Sequence, residues 1–249
     1  MLSVRAPILH HATILDLRPT QISVGMREVE DKRHRWREKI AGKENEFLQN
    51  HVVPVVTGPK GRHYIIDHHH LVRALHDEGV TTVYVTTVVD LSRVEKDAFW
   101  VVLDTRGLMH PFDESGRRRP YEDLPKSVTG LIDDPFRSLA GELRRQGGFA
   151  KDTTPFNEFL WADFLRRRIK RKLVESDFEG PRQGCLRTSR RAGERRLQND
   201  LSTNALLLHG LEKPRGPGQD APIGLGLDAI KVINDWDTDR HETRPLVLR

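Results

Sequence analysis

The chain has 249 residues and a formal net charge of +5, with 31% charged and 37% hydrophobic residues. A single cysteine, Cys185, excludes an internal disulfide and fits a reducing compartment. No window approaches the roughly 20 apolar residues of a membrane span, and the N-terminus lacks the apolar run of a signal peptide. We therefore expect a cytoplasmic protein with no membrane partner. The net charge permits a polyanionic partner but does not require one.

The first third of the chain has the pattern of a small α+β domain. Apolar, β-branched runs alternate with turns and with helical segments. The predicted strands cover residues 52–57, 63–66 and 80–89, and a charged helical run covers residues 30–48. These elements predict an α+β core over residues 12–92.

The most informative segment of this core is the turn that follows the strand ending at Ile66. Asp67 is the predicted N-cap of a helix, residues 68–70 are three histidines in its predicted first turn, and Gly79 is the predicted helix stop. First-turn N–H groups lack intrahelical partners and form the positive end of the helix dipole, so they attract phosphate and other anions. Imidazoles also donate or accept protons and bind metals. The turn predicts a ligand-facing site; the alternative is that its histidines are solvated or satisfy turn carbonyls.

Residues 93–177 have mainly helical periodicity and predict an appended helical subdomain. An Asp-Pro pair at Asp134 is typical of a helix start, and this helix is predicted to continue through Arg145. Residues 153–155 are predicted to open the next helix, which ends in the basic run 166–172.

The last part of the chain changes character. Residues 178–249 contain eight of the nineteen glycines and five of the fourteen prolines, and helical periodicity fades from Gly180. This composition predicts an irregular C-terminal tail of low order. A frameshifted gene end and a genuine tail would both produce such a break, and the sequence leaves both accounts open.

The histidine turn resembles the ParB/sulfiredoxin superfamily, in which a strand enters a helix through turns such as Asp-Gly-His-His-Arg. Asp67, His69 and His70 match this form. His68 replaces the glycine that lets a phosphate approach the backbone, and Leu71 replaces the arginine that clamps the anion. These two departures weaken the expectation that nucleotides bind in the usual manner of the superfamily.

The chain is more closely similar to the subgroup named ParB-like nucleases. The matching motifs lie at residues 24–29, 66–70, 133–140 and 159–166, and the resemblance covers residues 12–177. It implies a mixed-sheet core of ParB/sulfiredoxin type, with residues 14–21 as its opening strand and proline-containing loop. It also implies a site for a phosphate-bearing ligand, either a nucleotide or a nucleic acid. The chemistry does not follow from the fold.

Two enzymatic activities found in the superfamily require residues that this sequence lacks at the matching positions. Its serine kinases use an acidic base in the first loop, where this chain has Gln21, which cannot take a proton. Glu28 or Glu30 could substitute only if the loop folds back. Sulfiredoxin chemistry needs a cysteine in the turn, where His69 stands.

A metal-dependent phosphodiesterase would need carboxylates and imidazoles that converge on a divalent ion such as Mg²⁺ or Mn²⁺. The candidate ligands, which match no known metal-binding spacing, are Asp67, His69, His70, His110 and Asp113. The predicted catalytic residues are Asp67, His69 and His70, and the predicted phosphate ligands are His70, Arg73 and Arg18. For His110 and Asp113 the alternative is a capped loop, and the identity of any metal stays open.

Arg166, Arg167 and Lys170 are predicted to contact nucleic-acid phosphates, because they belong to the densest basic run. The alternative is a solvated helix end whose charges complement the helix dipole. For the chain as a whole, the leading prediction is a phosphate-binding protein with hydrolase or transferase activity unproven. The alternative is a catalytically inert module that binds DNA or a protein partner.

Overall fold

The computed structural model describes residues 9–39, 42–149 and 155–192, without the side chains of residues 39 and 187–192. All of these residues belong to one compact unit, Met1–Leu211, and a second unit, Glu212–Arg249, lies outside the described residues. Within the described ranges, no helix is both long enough and apolar enough to cross a membrane.

Seven strands and eight α-helices make up the regular structure of the described ranges. They are β1 Leu9–Thr13, β2 Arg18–Pro19, β3 Ser23–Val24, α1 Met26–Lys39, α2 Glu44–Asn50, β4 Val53–Gly58, β5 Arg62–Ile65, α3 His69–Asp77, β6 Thr82–Asp90, α4 Lys96–Thr105, β7 Ile132–Asp133, α5 Pro135–Arg145, α6 Asn157–Arg166, α7 Arg171–Ser176 and α8 Glu179–Ala192.

Five strands form a mixed sheet in the order β1-β6-β4-β5-β2, in which β4 is parallel to β6 and antiparallel to β5. Strands β3 and β7 form a separate parallel pair. Neighbouring residues of a strand point to opposite faces. Ile65 accordingly belongs to the main apolar core with α3, whereas Tyr64 contacts Phe99 of α4 at a centroid distance of 4.7 Å. Apolar side chains therefore cover both faces of the sheet, and the predicted α+β class is confirmed.

The N-terminal elements differ from those predicted. The first strand precedes residue 14, and Ile14–Asp16 is a single 3₁₀ turn. Pro19 has no N–H to donate, which limits β2 to two residues. The charged run 30–48 is two helices, α1 and α2, of which α1 begins earlier, at Met26.

Helix α3 matches its predicted apolar pattern. Leu71, Val72, Leu75 and the intervening Ala74 are buried, and they pack in the main core with the sheet valines. Gly79 lies at φ +81°, where a glycine is favoured, and it follows the end of the helix as predicted.

The helices after β7 build a second apolar cluster around Phe136, Leu139, Trp161 and Leu165. Helix α5 begins and ends where the sequence predicts, with the Asp134 carboxylate accepting the N–H of Phe136 at 2.9 Å. This contact confirms Asp134 as an N-cap.

The predicted loss of helical structure after Gly180 is wrong for the first residues of the tail, because α8 runs from Glu179 to Ala192. Pro181 is tolerated since it stands in the first turn, where N–H groups have no intrahelical acceptor. Phe178, Cys185 and Leu186 pack against the second cluster. Residues 193–249 lie outside the described residues, so the division of the chain into three regions stays a prediction.

Candidate functional site

The N-termini of three helices meet at one place. The N–H of Gly25, which precedes α1, donates to Nε2 of His70 in the first turn of α3 at 3.0 Å. Gly25 also packs against α5, where an added Cβ would lie 2.7 Å from the Oγ of Ser138. Only a glycine permits this approach. The N-terminal ends of α1, α3 and α5 therefore lie close together.

Carboxylates cap two of these three helices. Asp133 Oδ1 accepts the N–H of Met26 at the start of α1 at 2.8 Å, and Asp134 caps α5. Asp134 is the N-cap residue of α5, whereas Asp133 caps α1 from a distant part of the sequence. The protein itself therefore satisfies part of the first-turn amides of α1 and α5.

The third helix, α3, starts differently. His68 is the residue before the helix and has a left-handed backbone at φ +66°, and no side chain of the described residues caps the helix there. Asp67 Oδ1 accepts the N–H of His68 at 2.6 Å and does not reach an amide inside the helix. The prediction of Asp67 as the N-cap is therefore wrong, and His68 lies outside the first turn. The left-handed conformation is the one for which the superfamily's glycine is suited.

His69 is buried and holds the loop before β3. Its Nε2 accepts the N–H of Thr20 at 3.2 Å, so the neutral ring carries its proton on Nδ1. Burial first, and then the neighbouring imidazoles of His70 and His68, lower the pKa of His69 from 6.5 to about 3.

His70 is also buried and faces two charged side chains. Its Nε2 lies 3.6 Å from Oε2 of Glu28, and the same oxygen accepts a hydrogen bond from Arg137 Nη1 at 3.1 Å. Burial lowers the pKa of His70 from 6.5 to about 3, although Glu28 acts to raise it. At neutral pH His70 is therefore uncharged, with Nε2 as acceptor and its proton on Nδ1.

Glu28 and Arg137 form a buried ion pair beside His70, and the guanidinium also lies over the ring of Phe159. Burial acts to raise the pKa of Glu28, but His70 and Arg137 outweigh it, and the pKa lies below its ordinary value of 4.5. Since His70 is neutral at pH 7, the charge of Arg137 keeps Glu28 ionised there. Arg137 Nε is buried with no hydrogen-bond partner among the described residues.

Sequence reasoning missed Arg137 and admitted Glu28 only on condition that its loop folds back. Helix α1 does bring Glu28 onto the turn. A signal for Arg137 was present in Gly141, four residues later on the same helix face. A Cβ there would lie 3.0 Å from Arg137 Nη1 and 3.1 Å from Glu28 Oε2, so the glycine makes room for the ion pair.

The two other predicted phosphate ligands, Arg73 and Arg18, lie on α3 and β2. Arg73 Nη1 donates to the carbonyl oxygens of Val128 and Leu131, each at 3.2 Å, and its Nε contacts the carboxylate of Asp77 at 3.0 Å. To hold a phosphate it would have to leave these partners. Arg18 lies half-buried in β2, in register with Tyr64.

The remaining candidate metal ligands are His110 and Asp113. The N–H of His110 donates to the carbonyl oxygen of Thr20 at 2.8 Å. The buried ring of His110 stacks on Phe112 and lies tilted against Phe159, at centroid distances of 4.6 and 4.2 Å. Asp113 organises its own loop by accepting the N–H groups of Ser115 at 3.0 Å and Arg117 at 2.9 Å. Among the described residues, no three His, Cys, Asp or Glu side chains are grouped as metal ligands would be.

The predicted nucleic-acid contacts have different environments. Arg166 is mostly buried and bonds to Asp134 at 2.6 Å and to Asp163 at 3.1 Å. Arg167 is exposed and bonds to Asp163 at 3.1 Å, and Lys170 is exposed at the start of α7.

Comparison with known proteins identifies the family. Residues 10–167 match the family described as Putative ParB-like nuclease. The chain belongs to this family. Its structure is similar to the crystal structure of protein Atu1540 from Agrobacterium tumefaciens, with a TM-score of 0.70 and 52% sequence identity over 75% of this chain and 92% of that chain. A search of curated proteins gave no match.

The ParB-like motifs that carry the resemblance meet in space. Glu28, His70 and Arg137 come from three of them and form one buried group, and Phe159, under the guanidinium, comes from the fourth. Glu28 and Arg137 are 109 positions apart in the sequence and Phe159 lies further on, so only the fold brings these motifs together at the start of α3.

Proposed function

We propose that this ParB-like domain binds a phosphate-bearing ligand, a nucleotide or a nucleic-acid end, at the turn before α3. The observation that carries this proposal is the meeting of three helix N-termini, of which α3 has no side-chain cap. Asp133 and Asp134 already supply anionic acceptors to α1 and α5. An external anion therefore has most to gain at α3, where first-turn amides and the helix dipole attract it.

The buried pair of Glu28 and Arg137 supports the proposal by fixing the geometry of the turn. Glu28 lies beside His70, and His70 accepts the amide of Gly25. These contacts join α1, α3 and α5 into one frame, so the amides of α3 need no rearrangement when an anion arrives. Preorganisation of this kind lowers the entropic cost of binding.

The state of the two histidines supports ligand binding better than it supports catalysis. At pH 7 the rings of His69 and His70 are neutral, and each accepts a backbone N–H. Neither can donate a proton as an imidazolium near neutral pH. A hydrolase or transferase reaction would depend on Asp67 or on an ion that arrives with the ligand, and Mg²⁺ and Mn²⁺ are therefore included in the test.

The test is the thermal stability of the full chain with inorganic phosphate, AMP and ADP, each with and without Mg²⁺ or Mn²⁺. At least one probe should raise Tm in a concentration-dependent way. His68→Asp should abolish that shift, because a carboxylate beside the amides repels the anion. His68→Gly should preserve or enlarge it, since it restores close access to the backbone.

Lys60→Gly is the matched control. Lys60 is also left-handed, at φ +63°, but it lies in the turn between β4 and β5. Its substitution should leave the ligand-induced shift unchanged. The proposal is overturned if no probe raises Tm, or if His68→Asp responds to the probes as the unmodified chain does.

A further inference from the structure

Two basic segments that are far apart in the sequence lie against each other. Gly116, at φ +74°, packs on the end of α6, where an added Cβ would lie 2.6 Å from Arg166 Nη1 and 2.8 Å from Asp163 Oδ1. The loop that carries Arg117 is thus held beside the basic run that follows α6.

Together the two segments form a surface that we name the basic face. Its members are exposed, with the Arg117 side chain 72% and the Arg167 side chain 54% accessible. The basic face consists of Arg117, Arg167, Arg168, Lys170, Arg171 and Lys172. Arg166 is not a member, because Asp134 and Asp163 hold its guanidinium in the protein.

The carboxylates near the basic face do not block it. Asp113 and Asp163 are mostly buried beneath Arg117 and Arg167, each in a contact between residues four apart. Arg171 also pairs with a residue four positions on, Glu175, whose side chain is 50% accessible. Exposed pairs of this kind are weak and are screened by salt, so their arginines can turn to an incoming anion with little loss.

We propose that the basic face binds the sugar-phosphate backbone of a nucleic acid. Guanidinium groups match phosphate oxygens in a bidentate manner, and four of the six members are arginines. An anionic membrane would also attract these charges, but lasting attachment needs apolar side chains that insert. Leu173 is exposed here, yet α7 has only six residues. This proposal goes beyond the phosphate site at α3 and does not depend on it.

The experiment measures binding of the full chain to a short fluorescent DNA duplex over a range of salt concentrations. The variant Arg117→Gln, Arg167→Gln, Lys170→Gln removes three charges from the basic face. If each contacts a phosphate, the slope of log K against log salt should flatten by about 2.7, at about 0.9 for each contact. Gln keeps a hydrogen-bonding side chain and good helix propensity, so the fold should persist.

The control variant, Arg35→Gln, Arg93→Gln, Lys96→Gln, removes the same charge from exposed positions elsewhere. It should keep the full salt slope. Absence of DNA binding at low salt, an equal loss in the control variant, or binding to anionic lipid vesicles in place of DNA would each overturn the proposal. The Tm shift with inorganic phosphate or ADP reports on the α3 site separately, and it should be the same in both variants.

Discussion

Helices α5 and α3 both follow a short strand and an aspartate, yet their N-termini are built differently. At α5, Asp134 Oδ1 reaches the N–H of Phe136, two residues on. At α3, Asp67 Oδ1 takes the N–H of the adjacent His68. The intervening residue decides the outcome. Pro135 has a φ suited to a helix, whereas His68 is left-handed and turns the chain away from the carboxylate.

The N-terminus of α5 is closed by a side-chain cap, whereas the N-terminus of α3 is open. Asp134 closes α5 and also holds Arg166, so that end serves the packing of the second apolar cluster. No described side chain closes α3, although its first residues are buried. The same residue types thus cap one helix and leave the other without a side-chain cap, at the end where we propose that an anion binds.

The largest change in the free energy of unfolding is expected when the closed end of α5 loses its cap. Asp134→Ala removes the cap and leaves Arg166 buried with Asp163 as its remaining partner. Breaking a buried ion pair from one side costs about 3–5 kcal/mol. We expect a fall of that size in the free energy of unfolding, measured by urea denaturation with unchanged m-value.

Asp67→Ala is the comparison for this first prediction. Asp67 accepts one N–H and caps no helix, so its removal should cost about 1 kcal/mol. Equal losses in the two variants would contradict the distinction between the closed and the open helix end.

The second prediction concerns acid. His69 and His70 have folded-state pKa values of about 3, against 6.5 when unperturbed. Below pH 6.5 the unfolded chain binds protons that the folded rings exclude until about pH 3, so stability is complete above 6.5 and falls as pH falls. Two such groups reduce the free energy of unfolding by up to about 2.7 kcal/mol per pH unit. Glu28, whose pKa is depressed, adds a further loss below its ordinary value of 4.5.

Denaturation curves between pH 7 and pH 5 measure this slope. His70→Gln should reduce this slope by the contribution of about one proton, because Gln does not titrate. The Gln side-chain oxygen can still accept the N–H of Gly25. A slope that does not respond to His70→Gln would mean that this ring does not control acid stability.

The elements that could be predicted from the sequence are those fixed by local signals. The apolar pattern of α3, the stop at Gly79 and the Asp-Pro start of α5 all appeared where expected, because backbone preference and burial agree there. The start of α3 was not predicted, because His68 adopts a left-handed backbone that a histidine seldom adopts, although it stands where the superfamily has a glycine. The pairing of Glu28 with Arg137 was equally hidden, because these residues are 109 positions apart.

The third prediction concerns Arg73, which sequence reasoning assigned to phosphate. Its guanidinium bonds to the backbone between Val128 and Leu131 and to Asp77. Arg73→Met should therefore lower the free energy of unfolding by about 2 kcal/mol, since hydrogen bonds to a charged group are lost. The Tm shift caused by phosphate or ADP should stay as in the unmodified chain. A smaller ligand shift with unchanged stability would instead support the phosphate role.

The smallest effect is expected from relieving the backbone at the open end. A left-handed backbone costs a residue other than glycine about 1–2 kcal/mol, and substitution by glycine removes this strain. Part of the gain in stability is offset because glycine has greater freedom in the unfolded chain. His68→Gly should therefore change the free energy of unfolding by less than about 1 kcal/mol, in the stabilising direction. Differential scanning calorimetry without ligand measures it.

Lys60→Gly should give a gain of similar size, because Lys60 has nearly the same φ. The two positions differ in the surroundings of the side chain that is removed. His68 Nδ1 is buried with no hydrogen-bond partner among the described residues, so removing that ring also removes an unsatisfied polar atom. His68→Gly should consequently stabilise at least as much as Lys60→Gly. A clear loss of stability in His68→Gly alone would show that the imidazole packs favourably on the turn, and that its position owes more to stability than to ligand access.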